Sequence, residues 1–128
     1  MDEHTFTLPW PPSMNRYWRS VSGRVLISAE GRQYRDAVAV AALGGHRFGP
    51  SPIAVQIDAW LPDLRRRDVD NLLKAPLDAL TRCGVWNDDE QVQELGIRKA
   101  GVDRVNPRLI VRVWTVPALE HSISSVVV

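Results

Sequence analysis

Apolar and polar residues alternate along several segments of the chain, and this pattern predicts β-strands. The alternation is clearest from Ile53 to Trp60, which is typical of a strand with one buried face. Shorter strands are predicted at Thr5–Leu8, Arg24–Ile27 and Leu95–Lys99, and a stronger one at Arg108–Val116. These segments supply the strands of the predicted sheet.

Two further segments have the apolar spacing and end signals of helices. Ser28 is a suitable N-cap for a helix that runs to about Leu43, where two glycines end it. A second helix is predicted from Asp70, as its N-cap, to Gly84, and Pro76 is expected to kink it. Two helices among five strands cover only part of a sheet. The order therefore predicts an α+β fold, a two-layer sandwich in which a mixed β-sheet packs against two helices.

Length and composition are those of one globular domain. The chain has 128 residues, of which 45% are hydrophobic, so a predominantly disordered chain is excluded. We assign residues 1–116 to the domain and expect the tail 117–128 to be flexible. A single cysteine, Cys83, excludes an intrachain disulfide and is expected to be an inert buried thiol. With no apolar run long enough to span a bilayer and no signal-peptide core, we expect a soluble, cytoplasmic protein without a membrane partner.

The net charge of +1 argues against binding nucleic acid through bulk charge, but it leaves room for a local basic surface. Lys74 and Lys99 are the only lysines among 16 basic residues. Arginine favours bidentate contacts with phosphate, whereas a GC-rich genome also enriches arginine. Both interpretations stay open on composition alone.

Acidic residues cluster in the segment from Asp68 to Glu94. Asp68 and Asp70 are two residues apart, so in an extended stretch both carboxylates would face the same side. Carboxylates that close together need a compensating cation, and hard oxygen ligands suit Mg²⁺ or Mn²⁺. If the chain returns after the second helix, either Asp88 or Asp89 could join them.

Three carboxylates flanked by Arg67 and Lys74 would fit metal-dependent hydrolysis of a phosphodiester. The alternative is purely structural. Asp70 would then be only an N-cap with Lys74 as its surface partner, and residues 88–90 only a solvated turn. Spacing alone does not decide between them.

Several short motifs follow one another along the chain. They are Leu8–Ser13, Asn15–Tyr17, Ser28–Gly31 with Tyr34–Arg35, Arg66–Leu72 with Lys74, Asp78–Leu80, Gly84, and Trp86 with Asp88–Asp89 and Gln91–Val92. In this order they resemble the RusA family of Holliday junction resolvases. The resemblance spans about residues 5 to 116, and the tail after Val116 lies outside it. Met14 departs from the pattern, since the family often has Asn at that position.

This resemblance implies a homodimeric endonuclease, bacterial or phage-encoded, that uses Mg²⁺ (or Mn²⁺) to resolve four-way DNA junctions in recombination and repair. It implies that Asp68, Asp70 and Asp89 bind the metal and act in catalysis. It also implies a functional role for Lys74 and a DNA contact for Arg67.

The basic and aromatic run Asn15–Trp18 becomes a candidate DNA contact through Asn15, Arg16 and an aromatic ring that could stack on an unpaired base. It could equally be a structural turn with core aromatics. Two other functions remain open: a nuclease acting on other branched or flap DNA, and a non-catalytic module that binds junctions.

Overall fold

The computed structural model describes residues 3–119, which form a four-stranded sheet, a two-stranded hairpin and three helices. Residues 120–128, most of the predicted flexible tail, lie outside the described range. In chain order the elements are β1 (His4–Pro9), α1 (Met14–Tyr17), β2 (Trp18–Val21), β3 (Arg24–Ile27), α2 (Ala29–Ala41), β4 (Ile53–Leu61), a 3₁₀ turn (Val69–Leu72), α3 (Lys74–Arg82), a second 3₁₀ turn (Asp89–Gln91), β5 (Val92–Val102) and β6 (Arg108–Thr115).

The four-stranded sheet has the order β1-β6-β4-β5. β1 pairs with β6 and β6 with β4 in antiparallel fashion, whereas β4 and β5 are parallel. A parallel pair needs a crossover connection, and residues 62–91 provide it with both 3₁₀ turns and α3. The mixed sheet with its helices confirms the predicted α+β fold.

The core lies between the sheet and the helices α2 and α3. Alternate residues of β4, from Ile53 to Leu61, are buried, as the sequence pattern predicts. No helix among residues 3–119 is long and apolar enough to cross a membrane. The largest fully buried side chains are Trp86, Tyr17, Leu8, Ile53, Ile57, Leu80 and Leu109.

The start of α2 is fixed by the predicted N-cap. The Ser28 hydroxyl accepts a hydrogen bond from the Gly31 amide at 2.9 Å and lies 2.9 Å from the carbonyl oxygen of Tyr17. Gly31 sits so close to α1 that an added Cβ would lie 2.5 Å from the same carbonyl oxygen. Glycine is therefore required where the first turn of α2 meets the end of α1.

The second predicted helix corresponds to α3. It begins later than predicted, and the reason is Pro76. The expectation that Asp70 caps it is wrong, because α3 begins at Lys74 with Leu73 as its N-cap. Pro76 is then the third helical residue, where an amide has no partner within the helix. The first amide that needs a carbonyl is that of Leu77, which bonds the Leu73 oxygen at 3.2 Å. Pro76 thus removes no hydrogen bond from the helix.

Two smaller expectations also need correction. Cys83 is partly exposed rather than buried, with its Sγ 3.5 Å from the Leu80 carbonyl oxygen. β5 extends from Val92 to Val102 and is longer than the predicted strand Leu95–Lys99.

Candidate active site

The crossover between β4 and β5 carries all the aspartates considered as metal ligands in the sequence. Asp68 ends the loop that follows β4, and Asp70 lies in the first 3₁₀ turn. Lys74 is the first residue of α3, and Asp89 opens the second 3₁₀ turn. Their placement along one connection explains how residues twenty positions apart approach the same part of the sheet.

Asp70, Lys74 and Asp89 line one cavity of about 650 Å³, which is in the size range of ligand sites. Two of the three predicted metal-binding aspartates and the predicted functional lysine thus border the same space. Asp78, one helical turn after Lys74, also lines it. The remaining lining residues are Met14, Trp18, Leu73, Leu77, Val92, Gln93 and Leu95.

Asp68 lines a neighbouring cavity of about 530 Å³, together with Trp10, Arg66, Arg67 and Asn71. Its backbone is extended, but the chain turns into the 3₁₀ conformation directly after it. The extended backbone therefore ends before Asp70, so it does not place the Asp68 and Asp70 side chains on the same side of the chain. Among residues 3–119, no three His, Cys, Asp or Glu side chains come close enough to hold a metal ion together.

The donor chemistry of Asp70 and Asp89 still fits Mg²⁺ or Mn²⁺. Both side chains are exposed carboxylates on the wall of one cavity. Mg²⁺ is commonly bound by one or two carboxylates, with water and substrate phosphate completing its shell. A pair of aspartates is therefore a sufficient protein contribution.

The structure distinguishes Asp88 from Asp89, which spacing alone could not do. Asp88 caps the second 3₁₀ turn: its carboxylate accepts from the Glu90 amide at 2.9 Å. The Gln91 side chain accepts in return from the Asp88 amide at 2.7 Å, which completes a capping box. Asp89 takes no part in that cap, and its Oδ1 accepts a hydrogen bond from the Thr81 hydroxyl of α3.

Arg67 is held within the protein by Asp63. Its guanidinium donates to Asp63 Oδ1 at 2.6 Å and lies 5.8 Å from the ring centre of Trp10, and the Arg67 side chain is 17% exposed. Hydrogen bonds from the Arg67 side chain and the Arg65 amide lower the pKa of Asp63 to about 2. Lys99 of β5 also donates to the Arg67 carbonyl oxygen. The loop before Asp68 is thus fastened at both its side chain and its backbone.

The basic and aromatic run at residues 15–18 divides into exposed and buried members. Asn15 and Arg16 are exposed, and Arg16 forms a 3.1 Å ion pair with Glu30. Tyr17 is fully buried, so it belongs to the core and is not available to stack on DNA. Trp18 is half-buried on the wall of the cavity that holds Asp70 and Asp89.

A polar network that sequence reasoning missed joins α1, α2 and α3. Asp78 accepts hydrogen bonds from the Tyr17 hydroxyl and, at 2.8 Å, from Arg35 Nε. Burial, and then the hydrogen bond to Asp78, raise the pKa of Tyr17, so its hydroxyl remains a donor. Arg35 and Asp78 are separated by 43 residues. Their positions within the RusA-like motifs were the only sequence signal for either residue.

Comparison with known proteins places this architecture in one family. The family model described as "Endodeoxyribonuclease RusA" matches residues 9–114. The chain is 48% identical over 106 residues to the crossover junction endodeoxyribonuclease of Enterobacteria phage 82, and 46% identical over the same length to that of Escherichia coli K12. A Shigella sonnei protein of the same name is 46% identical over 110 residues. Each match covers 81% of this chain and 88% of the relative.

Proposed function

We propose that this protein resolves four-way DNA junctions by paired cleavage of phosphodiester bonds. The chain belongs to the RusA family of endodeoxyribonucleases. The observation that carries the proposal is the cavity shared by Asp70, Lys74 and Asp89. It combines two anionic oxygen ligands with one cation on the connection between the parallel strands. Such a set can hold a divalent ion and a phosphate side by side. Recombination and repair in the cytoplasm are the setting in which this activity would serve.

In this proposal Asp70 and Asp89 hold Mg²⁺, or Mn²⁺ in its place. When bound, the ion supplies a Lewis acid for the phosphoryl oxygen and a water of lowered pKa. Lys74 faces the same cavity and neutralises charge on the phosphate as the bond to the leaving oxygen breaks. Asp68, two residues before Asp70, is the proposed third carboxylate, which would act from the adjoining cavity.

DNA binding is assigned to the basic residues around this site. Arg66 and Arg16 are exposed, and Asn15 lies beside Arg16 on α1. Arg67 is largely enclosed by its pairing with Asp63, so its proposed contribution is to hold the loop that presents Asp68 and Arg66. A phosphate could still reach the 17% of its side chain that is exposed.

We propose a homodimer as the active form, because a junction with approximate two-fold symmetry requires two cuts. A dimer with C2 symmetry supplies two equivalent sites for them. Analytical ultracentrifugation at micromolar protein, with and without a synthetic junction, tests this. A monomeric protein that nevertheless cuts a junction at paired positions would contradict it.

The decisive experiment compares cleavage of a synthetic four-way junction, a fork, a flap and a linear duplex of the same sequence. Reactions contain Mg²⁺, Mn²⁺ or EDTA, and Asp70→Asn serves as the catalytic control. We expect paired nicks in the junction with either metal, and none with EDTA or Asp70→Asn.

Equal cutting of the linear duplex would overturn junction selectivity. Preferential cutting of the flap or fork would instead identify a nuclease for other branched DNA. Binding without cleavage under any metal condition would identify a junction-binding module. Undiminished cleavage by Asp70→Asn would remove the assigned metal site.

A further inference from the structure

Trp86, fully buried beneath α3, has one polar atom, and the structure shows where it points. The indole Nε1 donates a 2.7 Å hydrogen bond to the Thr81 hydroxyl oxygen. An indole N–H can only donate, so Thr81 must accept in this contact. Because the core encloses the indole ring, the hydrogen bond from Trp86 holds the Thr81 hydroxyl oxygen in a defined position.

Thr81 then has a single hydroxyl proton to donate, and two acceptors lie within reach. One is the Leu77 carbonyl oxygen at 2.8 Å, the usual partner of a threonine one turn later in a helix. The other is Asp89 Oδ1. A hydrogen bond to a carboxylate is stronger than one to a neutral carbonyl, which favours Asp89 as the acceptor.

Asp89 itself is exposed and lies on a short 3₁₀ turn rather than on α3. Within residues 3–119, the hydrogen bond from Thr81 is the only one that the Asp89 carboxylate accepts. It occupies Oδ1 and leaves Oδ2 for a cation. The bond also connects Asp89 with the helix that begins at Lys74, so it sets the position of Asp89 relative to the other cavity residues.

We propose that Thr81, aligned by Trp86, is a positioning residue for Asp89. This inference rests on the proposed function, since it takes Asp89 to be a metal ligand. Thr81 acts through the carboxylate, orienting its free oxygen toward the cavity that Asp70 and Lys74 line. Groups that orient ligands in this way typically change metal affinity or activity by about 10- to 100-fold when they are removed.

The experiment measures metal binding separately from cleavage. Mn²⁺ is titrated into the junction-free protein, and the electron paramagnetic resonance signal of free Mn²⁺ gives the affinity. Thr81→Val replaces the hydroxyl with a methyl group of similar size, and Thr81→Ala provides a second variant if valine is not tolerated. Thr81→Ser restores the hydroxyl. Thr115→Val, at an exposed position on β6, is the matched control.

We expect Thr81→Val and Thr81→Ala to weaken Mn²⁺ binding by about tenfold or more, and Thr81→Ser and Thr115→Val to behave like wild type. In cleavage assays the half-saturating Mg²⁺ concentration should rise by a similar factor, with the rate largely recovered at saturating Mg²⁺. Trp86→Phe removes the aligning N–H but keeps Thr81, so it should weaken Mn²⁺ binding by a smaller factor.

Asp89→Asn separates this inference from the proposed function. If Asp89→Asn loses Mn²⁺ affinity while Thr81→Val and Thr81→Ala keep it, the positioning role is overturned and the metal site stands. Failure of Thr81→Ser to restore binding would also overturn the role of the hydroxyl. If Asp89→Asn binds Mn²⁺ and cuts junctions like wild type, the proposed metal site itself fails.

Discussion

Arg35 on α2 donates a 2.8 Å hydrogen bond to Asp78 on α3, and this ion pair joins the two helices that cover the sheet. Both side chains are 20% exposed, and the Tyr17 hydroxyl donates to the same carboxylate. The contact brings three helices together one turn away from Lys74. Its integrity therefore affects the stability of the fold and the placement of the site.

We expect Asp78→Ala to lower the free energy of unfolding by about 2 kcal/mol, because it leaves the guanidinium of Arg35 and the hydroxyl of Tyr17 without their acceptor. Urea unfolding followed by tryptophan fluorescence measures the change. Asp36→Ala, at an exposed position on α2, should change stability by less than about 0.5 kcal/mol. Equal effects of the two substitutions would mean that the network contributes nothing.

Because Arg67 donates a hydrogen bond to Asp63, we expect the free energy of unfolding to depend on pH in the acidic range. The pKa of Asp63 is lowered from its ordinary value of 3.8 to about 2 in the folded protein. A lowered pKa means that the carboxylate stabilises the fold above pH 4 and that this contribution is lost as the pH falls from about 4 to about 2. The difference in unfolding free energy between wild type and Asp63→Asn should shrink across that window. A difference that is constant with pH would contradict the assigned ion pair.

Gly31 is the position where a single added methyl group should disturb the fold most clearly. The Cβ of Gly31→Ala would lie 2.5 Å from the Tyr17 carbonyl oxygen and 2.7 Å from Ile27 Cγ1. We expect a loss of about 2 kcal/mol, typical of overpacking, although alanine favours helices. Thermal unfolding checks this against Gln33→Ala, an exposed position in the same helix, which should leave stability nearly unchanged.

The adjacent residues Asp88 and Asp89 should respond in opposite ways to the same substitution. Asparagine caps a turn as well as aspartate does, so Asp88→Asn should keep both stability and cleavage. Asp89→Asn removes a proposed metal ligand and should lower the rate of junction cleavage by about a hundredfold or more. Single-turnover cleavage at fixed Mg²⁺ measures the rate of each variant, and urea unfolding measures the stability of Asp88→Asn. Loss of activity in Asp88→Asn with Asp89→Asn unaffected would reverse the assignment.

Removal of metal should separate binding from cleavage. In EDTA the carboxylates of Asp70 and Asp89 repel the phosphates, so Asp70→Asn should bind a four-way junction at least as tightly as wild type while cutting nothing. Affinity should also fall steeply with salt, because phosphate contacts release counterions. Gel-shift titrations at several salt concentrations test both expectations. Markedly weaker binding by Asp70→Asn would show that its carboxylate aids DNA binding in another way.

Local signals in the sequence predicted those features that depend on neighbouring residues. Ser28 caps α2 as expected, and alternation in residues 53–60 identified the central strand, because cap and strand periodicity are set within a few residues. The start of α3 was misplaced for the opposite reason. Asp70 has the chemistry of a cap, but the helix that begins at Lys74 places Pro76 where it needs no hydrogen-bond partner.

Features of the candidate site that depend on distant residues were beyond sequence reasoning. Tyr17 looked like a possible DNA contact because nothing local reveals that Asp78, 61 residues away, accepts a hydrogen bond from its hydroxyl. Arg67 looked available to phosphate because its pairing with Asp63 occurs in a loop rather than on a helix face. The sequence raised an approach of Asp89 to Asp70 only as a condition, because it depends on β5 returning beside β4.

The proposed site depends as a whole on the parallel pairing of β4 with β5. Asp68, Asp70, Lys74 and Asp89 all lie on the connection between these two strands. β5 is at one edge of the sheet, so its separation from β4 would leave β1, β6 and β4 paired. Such an opening would release the connection and disperse the acidic residues together. The site would then be lost while the other three strands remained paired.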